Sequence, residues 1–462
     1  MVGSRIDMLL QGLRPAVLIG GFIKKLDNQS FKDLPPPLVR GLKAYRRDGA
    51  FASLSDNLAI NFFEVYMISL GGGNRDVGLM ASIANLLGFL SLAPGVMAAR
   101  FLGHRKPIVL LFGGGLGRLM YLALALIPFI FPQPAMAIPA MILFNGIRVF
   151  MGNFSNPAWT SMTASLVPEQ VRGSYFASRN AAIAITGSIA TLSAGWIVLE
   201  GNRSSVHHLF GYSLLFIAAF IFGMISTWNF SQVPDIKADT KKTSPTEPGK
   251  QELGGFFRGL LHYPLFIAFL SFSFVWNFAL QVSGPFFNVY LVRELGASSA
   301  MVGMVATSGN IVQIFALPFW GGMVYKRGDL WVLVVTGLCI PVLPILWVFT
   351  HASWQPLLIN LLTGFLWAGF NLANFNFLLK MIPESDRQEG AALYQALVLL
   401  STVLGPLVGA EVVVHWGYRW VFALSGILRY GAFFVFYLLG LRKIHGISGP
   451  RDTSGTADQA YP

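Results

Sequence analysis

Apolar runs of the ~20 residues needed to cross a bilayer recur along this chain, and they constrain its fold more than any other feature. Twelve can be counted, approximately at 49–71, 77–99, 107–131, 136–163, 174–199, 209–231, 262–291, 298–324, 330–350, 354–380, 390–414 and 419–441. Short segments rich in Gly, Pro, Arg and Lys separate them. Only 12% of residues are charged, against about 25% in ordinary soluble domains. The expectation is an all-α polytopic protein with twelve transmembrane helices, lying in the cell (inner) membrane in contact with the lipid bilayer.

Where the charge sits sets the topology. With both termini on one side, 26 of the 33 Lys and Arg residues fall on that side. Four (Arg75, Arg203, Arg293, Arg419) fall on the other, and three (Arg118, Arg148, Arg429) lie within spans. The positive-inside rule then makes both termini cytoplasmic, and an even number of spans agrees. This accounts for the net charge of +12, so no nucleic-acid partner is expected. A single cysteine, Cys339, excludes an intrachain disulfide. No Walker-type loop and no Cys, His and acid cluster at metal spacing is present, so no cofactor, metal or enzymatic activity is expected.

The chain is also duplicated. Val77-Gly78-Leu79-Met80-Ala81 returns as Val302-Gly303-Met304-Val305-Ala306, an offset of 225. Phe62-Phe63-Glu64-Val65-Tyr66 returns as Phe286-Phe287-Asn288-Val289-Tyr290, an offset of 224. Asn145, Asn156, Ala158, Pro168, Glu169 and Arg172 match Asn360, Asn371, Ala373, Pro383, Glu384 and Arg387 at 215. Three collinear matches imply two similar halves of roughly 200 residues each. The expected organisation is a basic cytoplasmic tail (1–47), a six-helix bundle (48–232), a cytoplasmic linker (233–258), a second six-helix bundle (259–443) and a C-terminal tail (444–462). The linker mixes charges with Pro, Ser and Thr and lacks apolar periodicity.

Polar residues repeat at helical spacing inside four spans. Ser53, Asn57, Asn61 and Glu64 share one face of the first, and Asn277, Gln281, Gly284 and Asn288 repeat it in the seventh, where Pro285 should bend the helix. Asn145, Arg148, Gly152, Asn156 and Trp159 form a stripe in the fourth, echoed by Asn360, Thr363, Trp367, Asn371 and Asn374 in the tenth. Such faces are tolerated at membrane depth only against protein or water. Four of them around one axis predict a hydrophilic cavity between the halves, lined by Asn57, Asn61, Glu64, Asn145, Arg148, Asn156, Trp159, Gln281, Asn288, Asn360, Trp367 and Asn371.

At this point the sequence resembles the major facilitator superfamily (MFS) of secondary transporters over roughly residues 48 to 443. The resemblance rests on two parallel six-helix halves, a central linker, and a loop signature of glycine, acid and basic residues between the second and third spans. That loop here runs Gly95 to Lys106, with Arg100, Arg105 and Lys106, and its twin runs Gly321 to Asp329, with Lys326 and Arg327. The acid of the signature is replaced by Ala99 and Tyr325. The resemblance implies that these basic residues form cytoplasmic gating loops, near the second and eleventh spans and near the fifth and eighth. Neutralising Arg100 is expected to shift the inward/outward balance more than substrate affinity. The glycine and proline run that marks antiporters of the family is missing from 174–199, which contain no proline. This speaks against a typical drug/proton antiporter.

Each ionisable residue within a span needs a partner or water, because a charge at the bilayer centre costs at least ~2.5–3.5 kcal/mol. Arg148 admits a role in the cavity or in a structural ion pair, and Glu64 a role in the cavity or on a solvated rim. Asp56 lies ~100° round the helix from Asn57, which suggests pairing or helix packing. Arg118, beside the glycine run 113–117, and Arg429, whose twin is Gly223, read as structural. Well-studied proton-coupled members pair an acid of the first span with an arginine of the fourth. By that resemblance Glu64 and Arg148 are expected to be coupled, and Glu64→Gln to abolish uphill accumulation, with Asp56 the next candidate. The expected function is secondary transport of a small organic solute by alternating access around a midplane site, with protons as coupling ion and a monomer as the working unit. The rival expectations are efflux of amphipathic or lipid-like compounds, and a non-transporting assembly factor or sensor.

Overall fold

The computed structural model describes residues 34–101, 105–204, 209–235, 264–381, 387–436 and 438. The first 33 residues, most of the linker and C-terminal tail, the loop positions 102–104 and the turn 382–386 lie outside the described residues, as does the Arg100 side chain.

Twelve helical spans follow one another among the described residues. The first is Pro36–Ala59 continued by Phe63–Ser69, the second Asn74–Phe101, and the third Arg105–Ile108, a π-helical stretch Val109–Leu116, then Gly117–Ile130. The fourth is Pro134–Leu166, the fifth Glu169–Ser204 and the sixth Phe210–Ser231. In the second half come Pro264–Ser283 with Phe286–Arg293, Ser299–Arg327, Asp329–Cys339 with Val342–Val348, Gln355–Met381, Arg387–Trp416 and Tyr418–Phe436. Among the described residues, eleven spans are long and apolar enough to cross a bilayer by themselves; the first, which carries the densest polar stripe, is the exception.

The repeat has a physical counterpart in the packing. Within the first half the second span packs on the fourth, the first on the fifth and sixth, and the third on the fourth and sixth. The same pairs recur six spans later: eighth on tenth, seventh on eleventh and twelfth, ninth on tenth and twelfth. Between halves, the second span meets the eleventh and the fifth meets the eighth, an arrangement that a two-fold exchange of the halves leaves unchanged. The duplicated Val-Gly motif makes this seam. Val77 and Val302 are fully buried, and their neighbours Gly78 and Gly303 let backbones touch. A Cβ at Gly78 would lie 2.7 Å from the Pro406 carbonyl oxygen, and one at Gly303 would lie 2.7 Å from that of Thr191.

Among the described residues, the hydrogen bonds joining the halves gather at one end of the bundle. There Arg75 forms a bidentate pair with Glu411 at 2.9 Å, Tyr418 donates to Asn74 at 2.6 Å, Arg293 to the Gly72 carbonyl at 3.2 Å and Asn288 to the Asn61 carbonyl at 3.2 Å. Deeper in, Asn85 donates to the Thr402 carbonyl at 2.9 Å. Towards the opposite end, where Arg105, Lys106, Lys326 and Arg327 lie, the seam helices expose Val96, Met97 and Tyr325, and a Cβ at Gly321 or Gly322 would meet nothing.

Candidate functional site

The polar cavity sits inside the first half. It measures about 490 Å³ and is walled by the first, third, fourth, fifth and sixth spans. Three guanidiniums (Arg118, Arg148, Arg179) face two carboxylates (Asp48, Asp56) across it. Its centre is Asp56. Arg118 Nη1 donates to Asp56 Oδ1, and also to Ser55 Oγ at 3.0 Å. Tyr121 donates its hydroxyl to the same carboxylate oxygen at 2.9 Å and accepts from Arg148 Nη1 at 3.5 Å. Arg148 is further held by Asn145 Oδ1, at 3.2 Å from Nε and 3.0 Å from Nη2, and lies over the Phe63 ring at 4.6 Å. Two arginines thus converge on one carboxylate, one directly and one through a phenol.

Local sequence explains the geometry. The glycine run of the third span adopts a π-helical stretch, a distortion that shifts side-chain register and recurs at functional sites. Gly223 on the sixth span leaves room for the Arg118 stem, since a Cβ there would lie 2.6 Å from Arg118 Cδ. Towards the basic end, Asp48 accepts from Ser226 at 2.6 Å, and Arg179 is buried over the rings of Tyr45 at 4.4 Å and Trp159 at 5.5 Å.

A second, separate cavity of about 360 Å³ lies in the other half, lined by Asn61, Asn288, Asn360, Trp367 and Arg429 among others. Here Asn360 donates to the Val305 carbonyl at 2.8 Å.

The residues expected to share one cavity are therefore divided. Arg148, Asn156 and Trp159 line the first, with Asn145 behind Arg148, while Asn61, Asn288, Asn360 and Trp367 line the second. Asn57 lines neither. It donates to the Ser53 carbonyl at 2.9 Å and packs against Gly187 of the fifth span, which also receives Ser53, bonded to the Ile183 carbonyl at 2.8 Å. Asn57 lies ~100° round the helix from Asp56 and so faces the fifth span, and the interruption between Ala59 and Phe63 ends the continuous face before Asn61 and Glu64. Gln281 packs on Gly405 of the eleventh span, and Asn371 is exposed. Glu64, half-buried in the short helix after the interruption, lines neither cavity; the carboxylate beside Arg148 is Asp56. Asp56, expected to pair or pack and held as the next coupling candidate, pairs with Arg118, which was read as structural beside its glycine run; Tyr121 was not singled out, since no spacing marks it. Of the basic residues expected to gate, Arg105 and Lys106 are half-buried, Lys326 is exposed, and Arg327 lies over the Trp331 ring at 5.0 Å.

Comparison with known proteins matches the chain to one family profile, and to relatives and solved structures of which two each are given. The family profile described as Major Facilitator Superfamily matches residues 49–288 and 277–458. The multi-drug resistance efflux pump PmrA of Streptococcus pneumoniae is 26% identical over 385 residues, covering 81% of this chain and 89% of that protein. The multidrug resistance protein MdtG of Klebsiella pneumoniae is 29% identical over 173 residues, 36% of this chain and 41% of that one. Among solved structures, a bacterial homologue of the iron transporter ferroportin superposes with a TM-score of 0.67 at 15% identity, covering 88% of this chain and 99% of that one. A D-xylose-proton symporter superposes with a TM-score of 0.63 at 16% identity, covering 86% and 96%. At such identities these structures speak for the fold.

Proposed function

The chain belongs to the major facilitator superfamily, a multi-pass membrane transporter and not an enzyme, and from that premise we propose a proton-coupled carrier of a small organic solute in the cytoplasmic membrane. The observation that carries this reading is the convergence of Arg118, Tyr121 and Arg148 on Asp56. Ionised, Asp56 satisfies Arg118 and accepts from Tyr121. A proton taken up on Oδ2, which accepts only a long bond from Arg118 Nη2 at 3.5 Å, neutralises it and frees Arg118 for another acceptor. Solute and proton then address the same guanidiniums, which couples their movements. With three guanidiniums against two carboxylates, the cavity favours a neutral or anionic polar group over a cation.

The seam is closed at the end away from the basic loops, so with both termini cytoplasmic the described state is inward-facing. Alternating access then consists of opening this seam and closing the basic end, with Arg100, Arg105, Lys106, Lys326 and Arg327 as the gating residues there. The unit proposed is the monomer, since cavity and seam lie within one chain.

Export of amphipathic compounds is a second reading. It is favoured by the likeness to the multi-drug resistance efflux pump PmrA and by the aromatic wall of Phe63, Trp159 and Phe230, and it runs against the missing antiporter signature of the fifth span.

Flux into proteoliposomes under an imposed pH gradient tests the reading. Asp56→Asn should abolish uphill movement while exchange of solute down its own gradient persists. Uphill movement retained in that variant would remove Asp56 from coupling.

A further inference from the structure

The cavity of the second half holds a buried cation with no acid beside it among the described residues. Arg429 is 4% exposed, lines the cavity, and donates from Nη2 to Ser283 Oγ at 3.2 Å, while its Nε has no hydrogen-bond partner. The ion pairs among the described residues do not include it. An unpaired guanidinium removed from water is costly unless something compensates its charge.

The first half shows what is missing. Ser55 donates to the Ala219 carbonyl at 2.6 Å, and Ser425 donates to the Ala279 carbonyl at 2.6 Å. These are the same two helix positions with the donor exchanged, so the first and sixth spans superpose in register on the seventh and twelfth. In that register Gly223 corresponds to Arg429 and Asp56 to Leu280. The first half therefore brings Arg118 from the third span into the space that Gly223 leaves, and balances it with Asp56. The second half brings Arg429 from the twelfth span, and presents Leu280 where the acid would stand.

We propose that an anion completes this site. A carboxylate or similar monoanion docks on the Arg429 guanidinium, with Asn61, Asn288 and Asn360 able to reach its polar atoms and Trp347 and Trp367 able to cover an apolar body. About 360 Å³ is at the lower end of the range for pockets that hold small organic molecules. The anion is either the charged group of a solute or an inorganic counter-ion. Only the first alternative rests on the transport reading.

Thermal unfolding of the full chain in detergent, in zwitterionic low-chloride buffer, tests this without any transport step, so failure of proton coupling and failure of the anion site are separable. Sodium benzoate should raise the melting temperature with the logarithm of its concentration above Kd, by roughly 2 °C per tenfold, and neutral benzamide should not. Benzoate acting beyond chloride identifies an organic carboxylate, and equal action identifies an inorganic anion; both support the site. Arg429→Gln should lose the response. Should that variant not fold, Leu280→Asp decides: it supplies the absent carboxylate from the chain, and should raise the melting temperature without anion while abolishing the benzoate response. No anion-dependent shift, an equal shift with benzamide, or a full response in the Leu280→Asp protein would overturn the proposal.

Discussion

Arg118 and Asp56 form the pair most exposed to test at the level of single side chains. The guanidinium is 15% exposed and the carboxylate 48%, so the pair is only partly desolvated. Loss of one partner should cost less than the ~3–5 kcal/mol of a fully buried pair and more than the ~0–1 kcal/mol of a surface pair. We expect Arg118→Leu to destabilise by about 1–2 kcal/mol in detergent unfolding, and Asp56→Leu in the same protein to recover part of the loss, a positive coupling in a double-mutant cycle. Additive effects would show that the two do not interact. Glu64→Gln, once expected to uncouple transport, should leave pH-driven flux intact because Glu64 lines neither cavity. Legibility at this scale followed helical spacing. Arg148 stood out because it lies on a polar stripe that stays intact through the fourth span. Asp56 did not, because its neighbours in space come from the third span, and nothing in the first span's own periodicity records them.

The spans themselves show what a sequence marks and what it leaves silent. Pro285 marked the interruption of the seventh span, where Pro264–Ser283 gives way to Phe286–Arg293. The first span is interrupted at the corresponding positions, Ile60 to Phe62, and Asn61 is the counterpart of Pro285. No proline announces this second break, which is why the stripe of the first span was read as continuous. The π-helical stretch in the third span was equally silent, since a run of glycines suits close packing in an ordinary helix as well. A proline should therefore be better tolerated at the existing break than inside the helix. Asn61→Pro is expected to lose less stability than Leu58→Pro, for which an interior proline costs ~3 kcal/mol. Melting temperatures of the two variants compare them directly, and an equal loss would mean that the chain between Ala59 and Phe63 behaves as continuous helix.

Across the whole molecule the conformational balance rests on the seam. A Cβ at Gly195 would lie 2.4 Å from the Ser299 carbonyl oxygen, and Gly303 meets Thr191 from the other side. Both Gly195→Val and Gly303→Val should force the seam apart. In a Cys339→Ser background, a cysteine at Thr307, which is 1% exposed, should then react faster with a soluble maleimide; unchanged reactivity would show that the seam does not hold the closed state. Glu411→Gln should act in the same direction but more weakly, and its effect should fade at high salt, because the Arg75 to Glu411 pair is exposed. The halves and their order were legible from the repeat offsets, whereas the helix pairs were not: offsets say which residues correspond, not which of them touch, and the second-to-eleventh and fifth-to-eighth neighbours came only from the family resemblance. The seam has a consequence for assembly. Because it pairs equivalent surfaces, a lone six-helix half would meet a second copy of itself through that one surface, as in an isologous dimer with two-fold symmetry. Joining two such halves in one chain fixes one orientation and leaves each half able to differ, as Asp56 in the first and Arg429 in the second do. A transporter expressed as two polypeptides, severed between residues 236 and 258, should accordingly reassemble and co-purify.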